Sequence, residues 1–406
     1  MSTEHTLLNP LQPPSAAPHR PDQRMARKFR FNDVDMDLFF MSAMSLGPTG
    51  GLDIGQTEYI ASQIVDGDAD SWVAAFAAYG ERQNDQADAW AARGWNRAAG
   101  EARLKAFASF RSAWQFAEAG GPLFCNLYAR HRAAFAQAMS ELRLPATFFD
   151  IAFDGHALPG LFLRNANPVA PVVLVIGGAD TCREDLFLSL GRSIWDRGYS
   201  VAMVDLPGQG ITPMQGMGWS TEPELAISAV VDALVERFGA TPGRIALLGL
   251  SFGGYFVTRA AQYEKRLATV IASTPFPRPI ELLESSIRAQ VESASRGFVP
   301  STAALRSRLM MGWKAGVASG EEMLERWRNA AADPSQVTVP FLSVIGAGDS
   351  PVFNGQALRW HEALGSVRKD CVVLDAATGA DSHCQVNARL RLVQEACGWM
   401  DEVFAA

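Results

Sequence analysis

Gly249-Leu250-Ser251-Phe252-Gly253-Gly254 gathers residue types suited to nucleophilic chemistry. An apolar run, 244–248, leads into it, and a helical pattern, 255–261, follows it. This is the G-x-S-x-G arrangement in a strand–turn–helix setting, which holds a serine on a sharp turn with its hydroxyl exposed. The spacing has a steric cause: Gly249 and Gly253 keep side chains away from both flanks of Ser251. The same pattern also occurs as a plain tight turn, but the strand before and the helix after favour a nucleophile. The new helix leaves its first N–H groups free where a negative oxygen would form, and the Phe252 N–H is the expected first donor of an oxyanion hole.

A serine hydroxyl needs a base beside it, and the base needs an acid to orient it. In this setting they follow in the order serine, acid, histidine. Of six histidines, His5 and His19 lie near the start, His131 in a helical region, His156 on a hairpin and His361 on an amphipathic helix. His383 alone falls in a loop between a late strand and the last helix, and it is the expected base. Asp349, just after the strand ending at 345, is the expected acid, because side chains at the carboxyl ends of parallel strands converge on one crevice. Asp375, at the end of the next strand, is the alternative; Asp381 lies too close in sequence to His383. The second oxyanion donor is expected from Gly177-Gly178-Ala179-Asp180, after the apolar run 171–176, with Gly178 and Ala179 nearest the substrate oxygen. Asp180 either fixes that loop or faces the substrate. Met214, Met217 and Trp219 either line a pocket or pack a loop.

Positioning these groups requires a sheet. Residues 147–153 and 158–163 read as a hairpin about Asp154-Gly155, and 171–176, 199–205, 244–248, 268–272, 340–345 and 371–374 as further strands. Helical patterns separate them, which predicts an α/β fold with a mainly parallel sheet covered on both faces. Before it, 31–145 is helical, with Trp72, Phe76, Tyr79, Phe107, Phe110 and Trp114 at helical spacing as core and Asp70-Ser71 as an N-cap. Residues 276–337 carry helical periodicity and no strand, which predicts a lid. The expected organisation is a leader over 1–30, helical domain 31–145, core 146–275, lid 276–337 and core 338–406.

The net charge of −7 argues against nucleic-acid or anionic-membrane partners. No segment approaches the about 20 apolar residues of a membrane helix. The five cysteines are scattered without C-x-x-C, which suits free thiols in a reducing cytoplasm. Glycine spacing fits no dinucleotide or phosphate loop, and adjacent His383-Cys384 is a poor metal pair. A small-molecule substrate is expected, with no cofactor and no metal.

Four stretches together carry a resemblance: Val175 with the following 176–184, the motif Asp205-Leu206-Pro207-Gly208-Gln209-Gly210, the serine turn, and Asp381-Ser382-His383-Cys384-Gln385. Over 147–404 the chain resembles the α/β-hydrolase superfamily. Within it, the chain is similar to the group containing 2,6-dihydroxypseudooxynicotine hydrolase and the fungal polyketide-shortening hydrolase of pigment synthesis, with fermentation-respiration switch protein-like esterases as relatives. That resemblance implies hydrolysis of a carbon–carbon bond next to a ketone. Ser251 would attack the carbonyl, Phe252 N–H and the Gly178–Ala179 backbone would hold the oxyanion, and His383, oriented by Asp349, would move the proton. It also implies a cap-region glutamate, with Glu281 and Glu284 in the corresponding stretch, and a homodimer. Gly177, Asp180, Met214 and Glu281 are the expected substrate-facing positions. An esterase, amidase, thioesterase or acyl-transferring or cyclising enzyme would use the same groups. A binding protein on the same fold would lack turnover.

Overall fold

The structure, a computed structural model, describes residues 24–405. Strands β1 (Ala146–Phe153) and β2 (His156–Leu163) pair antiparallel around Asp154-Gly155. Both turn residues have positive φ, 48° and 74°, as a two-residue primed turn requires. β3 (Val172–Ile176), β4 (Ser200–Val204), β5 (Ile245–Leu250), β6 (Leu267–Ser273), β7 (Phe341–Gly346) and β8 (Lys369–Leu374) complete a sheet of order β1-β2-β4-β3-β5-β6-β7-β8. β2 runs antiparallel to β4, and the remaining pairs are parallel. β3, β4 and β5 are buried throughout, which explains their unbroken apolar sequences.

Alternation along the strands divides the interior into two cores. Val173 and Val175 of β3 belong to one, and Val172, Leu174 and Ile176 to the other. The second core packs under α8 (Pro223–Phe238), α9 (Gly253–Tyr263) and α13 (Pro351–Ala363). The first packs under a helix that runs as α6 (Arg183–Leu186), a π-turn (Phe187–Gly191) and α7 (Arg192–Trp195), and under α14 (Arg389–Ala405).

The helices α1 (Val34–Ser45), α2 (Ile54–Ala61), α3 (Ala69–Ala92), α4 (Asn96–Trp114) and α5 (Pro122–Glu141) share that first core. Phe107 meets Phe135 at 5.1 Å between ring centroids, and Phe135 meets Phe187 at 5.3 Å. The helical segment is therefore seated on the sheet's own helical layer, with a small cluster of its own, Ala87, Ala99 and Ala102, between α3 and α4. α3 begins two residues earlier than its sequence suggests: Asp68, not Asp70-Ser71, is its N-cap, accepting from the Asp70 and Ser71 N–H groups.

Between β6 and β7 the chain forms α10 (Pro279–Ser295), α11 (Thr302–Ala315) and α12 (Gly320–Trp327), the expected lid segment. Its α11 docks on the N-terminal helices. The Ser301 hydroxyl donates to Asp33, and the Ala69 N–H donates to Thr302 Oγ1 at 2.9 Å. The leader expected over 1–30 falls mostly outside the described residues. Its last part is built into the fold: Phe29, Arg30 and Phe31 each donate an N–H to the Asp37 carboxylate, at 2.8, 2.6 and 2.8 Å. Met25 is buried.

Candidate active site

Ser251 stands between β5 and α9 with φ of 54°, a left-handed conformation uncommon for a residue with a side chain. The turn tolerates no bulk beside it. A Cβ on Gly253 would lie 2.6 Å from the Gly177 carbonyl oxygen, and one on Gly249 would lie 2.4 Å from the Gly253 carbonyl oxygen. A Cβ on Gly178 would lie 2.7 Å from Ser251 Cβ, so the 177–180 loop runs directly against the serine.

His383 Nε2 is 2.9 Å from Ser251 Oγ, and His383 Nδ1 is 2.6 Å from Asp349 Oδ2. Asp349, only 2 % exposed, follows β7; its other oxygen accepts the Ser350 N–H at 2.7 Å. A carboxylate accepting from Nδ1–H leaves Nε2 as the nitrogen that can receive the serine proton. Burial disfavours the imidazolium, but the Asp349 carboxylate and the neighbouring Cys384 sulfur together outweigh it and lift the ring's proton affinity above its ordinary value. The ring is thereby a stronger base. Two further contacts hold it: its backbone N–H donates to the Arg24 carbonyl at 2.9 Å, and Phe353 of α13 packs on it at 4.7 Å between centroids. Asp375 is occupied elsewhere, capping a turn through the Ala377 and Thr378 N–H groups, both at 3.1 Å. Asp381 accepts from Asn387 Nδ2 at 2.8 Å.

Side chains from three separate segments hold every carbonyl of the 177–180 loop. Gln209 Nε2 donates to the Gly177 and Gly178 oxygens at 2.5 and 3.0 Å. Lys314 Nζ, from lid helix α11, donates to Ala179 at 2.8 Å, and Arg111 Nη2, from α4, donates to Asp180 at 2.5 Å. A trans peptide points its N–H opposite to its carbonyl. The N–H of each following residue therefore points away from the donor that holds the carbonyl, and Ala179 and Asp180 line a cavity with Ser251 and Phe252. Lys314 has no exposed surface, and burial lowers its proton affinity. Sequence patterning missed Lys314 and Arg111, which carry no motif. Gln209 lies inside a stretch singled out for its resemblance, but with no role attached to it.

The cavity is about 700 Å³. Trp219, Phe252, Phe276, Leu282, Met311 and Phe353 supply much of its apolar wall. Phe252 is fixed by Trp219 at 4.6 Å and Trp327 at 5.2 Å between centroids.

Residues 173–398 match the model of the Alpha/beta hydrolase family. The chain belongs to the α/β-hydrolase family. Among curated relatives, it is 27% identical over 301 residues to the hydrolyase poxO of Penicillium oxalicum, covering 69% of this chain and 71% of that one. It is 26% identical over 412 residues to the 20-hydroxy-prefusarin hydrolase FUS2 of Gibberella moniliformis, covering 90% and 96%. The crystal structure of 2,6-dihydroxy-pseudo-oxynicotine hydrolase shares the fold with a TM-score of 0.70 at 21% identity, covering 89% of this chain and 96% of that one.

Not every expected position of this hydrolase reaches the cavity. Asp180 does, and it also fixes its loop, facing Arg24 at 3.9 Å and accepting from Gln115 Nε2 at 3.4 Å. Gly177 lies behind the wall, its carbonyl turned to Gln209. Met214 sits on an exposed 3₁₀ turn and does not line the cavity. Glu281 is tied to Arg278 at 3.0 Å and Arg359 at 2.8 Å, and neither it nor the exposed Glu284 lines the cavity. Both lie on a helix, as expected, but the face of α10 turned to the cavity carries Leu282, Leu283, Ser286 and Ile287 instead.

One group of potential metal ligands escaped the sequence: His131, Cys182 and Glu184 meet in the buried layer beside α6. Their chemistry does not suit a cation. Arg183 Nε already holds Glu184 at 3.0 Å. His131 Nδ1 accepts the Trp114 indole N–H at 3.2 Å, which leaves the ring proton on Nε2, facing the would-be site. Burial pushes the Cys182 thiol well above its ordinary value, away from the thiolate a metal needs. Among the described residues, no helix is long and apolar enough to cross a membrane.

Proposed function

We propose that this α/β-hydrolase is a serine hydrolase that cleaves a carbon–carbon bond next to a ketone in an aromatic or polyketide-like small molecule. The observation that carries the catalytic part is the unbroken Ser251–His383–Asp349 hydrogen-bonded relay at the wall of a largely apolar cavity. The choice of bond follows the resemblance set out above, and a small-molecule substrate agrees with the relative named as a 20-hydroxy-prefusarin hydrolase. Ser251 Oγ adds to the ketone carbon while His383 Nε2 takes its proton. The carbonyl oxygen becomes an oxyanion beside the Phe252 and Ala179 N–H groups. The carbon–carbon bond then breaks, and its electron pair leaves as a stabilised carbanion that takes the proton from His383. Water, deprotonated by His383, releases the acid from the acyl-enzyme.

Product analysis tests the choice of bond. Incubation with an aryl 1,3-diketone is expected to give a carboxylic acid and a shorter ketone in equal amounts. Hydrolysis confined to an added ester, with every diketone skeleton intact, would replace this reading with an esterase.

The grip on the 177–180 loop makes a second expectation. Removing an oxyanion donor outright costs about 10²–10³ in kcat. Lys314 acts one peptide removed, by holding the Ala179 carbonyl. Lys314→Met is expected to lower kcat about tenfold with KM little changed. Its Tm should fall by a few degrees, because the buried Ala179 carbonyl loses its donor, with the protein still folded. An unchanged kcat in the folded variant would show that the lid does not act on the loop.

A further inference from the structure

The cavity has one polar end, where α1 meets lid helix α11. Arg24, Asp33, Asp35, Asp180 and Ser307 all line it. Most are engaged. Asp33 accepts from the Asp35 and Met36 N–H groups at 3.1 and 3.0 Å and from the Ser301 hydroxyl. Asp180 takes Gln115 and faces Arg24. Asp35 differs: it stands at the second position of α1, half-buried, and lines the cavity together with Ser307 and Arg24. Ser307 Oγ is itself shielded from solvent without a well-formed hydrogen bond among the described residues. A carboxyl and a hydroxyl thus line a space walled mainly by aromatic and aliphatic side chains, with Asn32, Gln290, Ser301 and Arg308 as further polar members, and Ser251 lies on that same space.

We propose that Asp35, seconded by Ser307, is the substrate-recognition group of this cavity and accepts a hydrogen bond from a neutral phenolic or enolic hydroxyl on an otherwise apolar substrate. This deepens the hydrolase reading and rests on it for the word substrate. The chemistry of the surroundings selects the ligand class. An anionic ligand end would meet Asp33, Asp35 and Asp180 together. A cationic one would meet Arg24 and Arg308, the latter from α11 beside Ser307. A neutral donor satisfies the carboxyl without bringing a charge into an apolar chamber. The volume of about 700 Å³ matches a small molecule of more than one ring. Burial, with Asp33 and Asp180 nearby and Arg24 opposing, raises the Asp35 carboxyl to about 6. It therefore changes from acceptor to acid just below neutral pH.

The test reads binding and not turnover, so it stands apart from the role of Ser251. Calorimetric Kd values are measured on the full-length Ser251→Ala protein with a phenyl alkyl ketone, its three ring-hydroxylated isomers and an aminomethyl analogue. Near neutral pH, at least one phenolic isomer is expected to bind about tenfold more tightly than the parent, the scale of one hydrogen bond to a charged group. Adding Asp35→Leu should bring the two within about twofold, and Asp35→Asn should keep part of the preference. The preference should also shrink as pH falls through about 6. Equal binding of parent and all isomers, a preference that survives both Asp35 variants in folded protein, or tighter binding of the aminomethyl compound would each overturn the proposal. Turnover of the aryl 1,3-diketone by the wild type decides separately whether the hydrolase reading holds.

Discussion

Ser251→Ala is expected to lower kcat by about 10⁴–10⁶-fold while leaving the fold and Tm essentially unchanged. The size of the loss follows from the geometry. Ser251 Oγ is the one hydroxyl set 2.9 Å from His383 Nε2, on a turn where the flanking glycines admit no replacement side chain to take over its role. Alanine keeps the backbone, and the methyl it presents fits where the serine Cβ already sits. The remaining rate would come from the loop and helix N–H groups acting on water attack alone. Steady-state kinetics with circular dichroism on the same sample checks this. A folded Ser251→Ala protein with near-normal kcat would remove the proposed mechanism.

Asp349→Asn is expected to cost about 10³–10⁴-fold in kcat, and Asp375→Asn almost nothing. The amide of asparagine can present its NH₂ to His383 Nδ1, which moves the ring proton to Nε2 and leaves no acceptor for the serine hydroxyl. It also withdraws the carboxylate that raises the ring's proton affinity, so the base weakens as well as turning the wrong way. Asp375 holds only the turn of 376–378, and its loss should cost at most about 1 kcal/mol of stability. Paired kcat measurements on the two variants separate the acids. A larger loss in Asp375→Asn would place the acid on β8.

The fold and the relay are legible in the sequence for one reason: both are written in local pattern. Apolar runs between turn residues mark the strands. The glycines around Ser251 mark a turn that no bulkier residue survives, and chain order leaves His383, with Asp349 or Asp375, as the partners that fall beyond strand ends. What supports them is long-range, and local pattern does not encode it. The Lys314–Ala179 bond joins residues 135 apart, and Arg111 reaches Asp180 across 69. Arg24, placed in the leader by its polar neighbours, offers its carbonyl to the His383 N–H because Met25 buries beside it. Met214 stands out by type and neighbourhood, and Glu281 only through the resemblance. Their directions are set by tertiary packing: an exposed turn for one and two arginines for the other. Asp35 drew no notice because a lone aspartate in the first turn of a helix is ordinary. Only the lid folded over it makes it part of a chamber.

The central claim is that Ser251 is a nucleophile activated by His383. Treatment of the wild type with a fluorophosphonate, followed by peptide mass spectrometry, tests it most directly. A single stoichiometric adduct on the peptide carrying Ser251, abolished in Ser251→Ala and strongly slowed in His383→Ala, is the predicted result. An unlabelled Ser251 in folded protein, or an adduct that forms equally fast without His383, would contradict it.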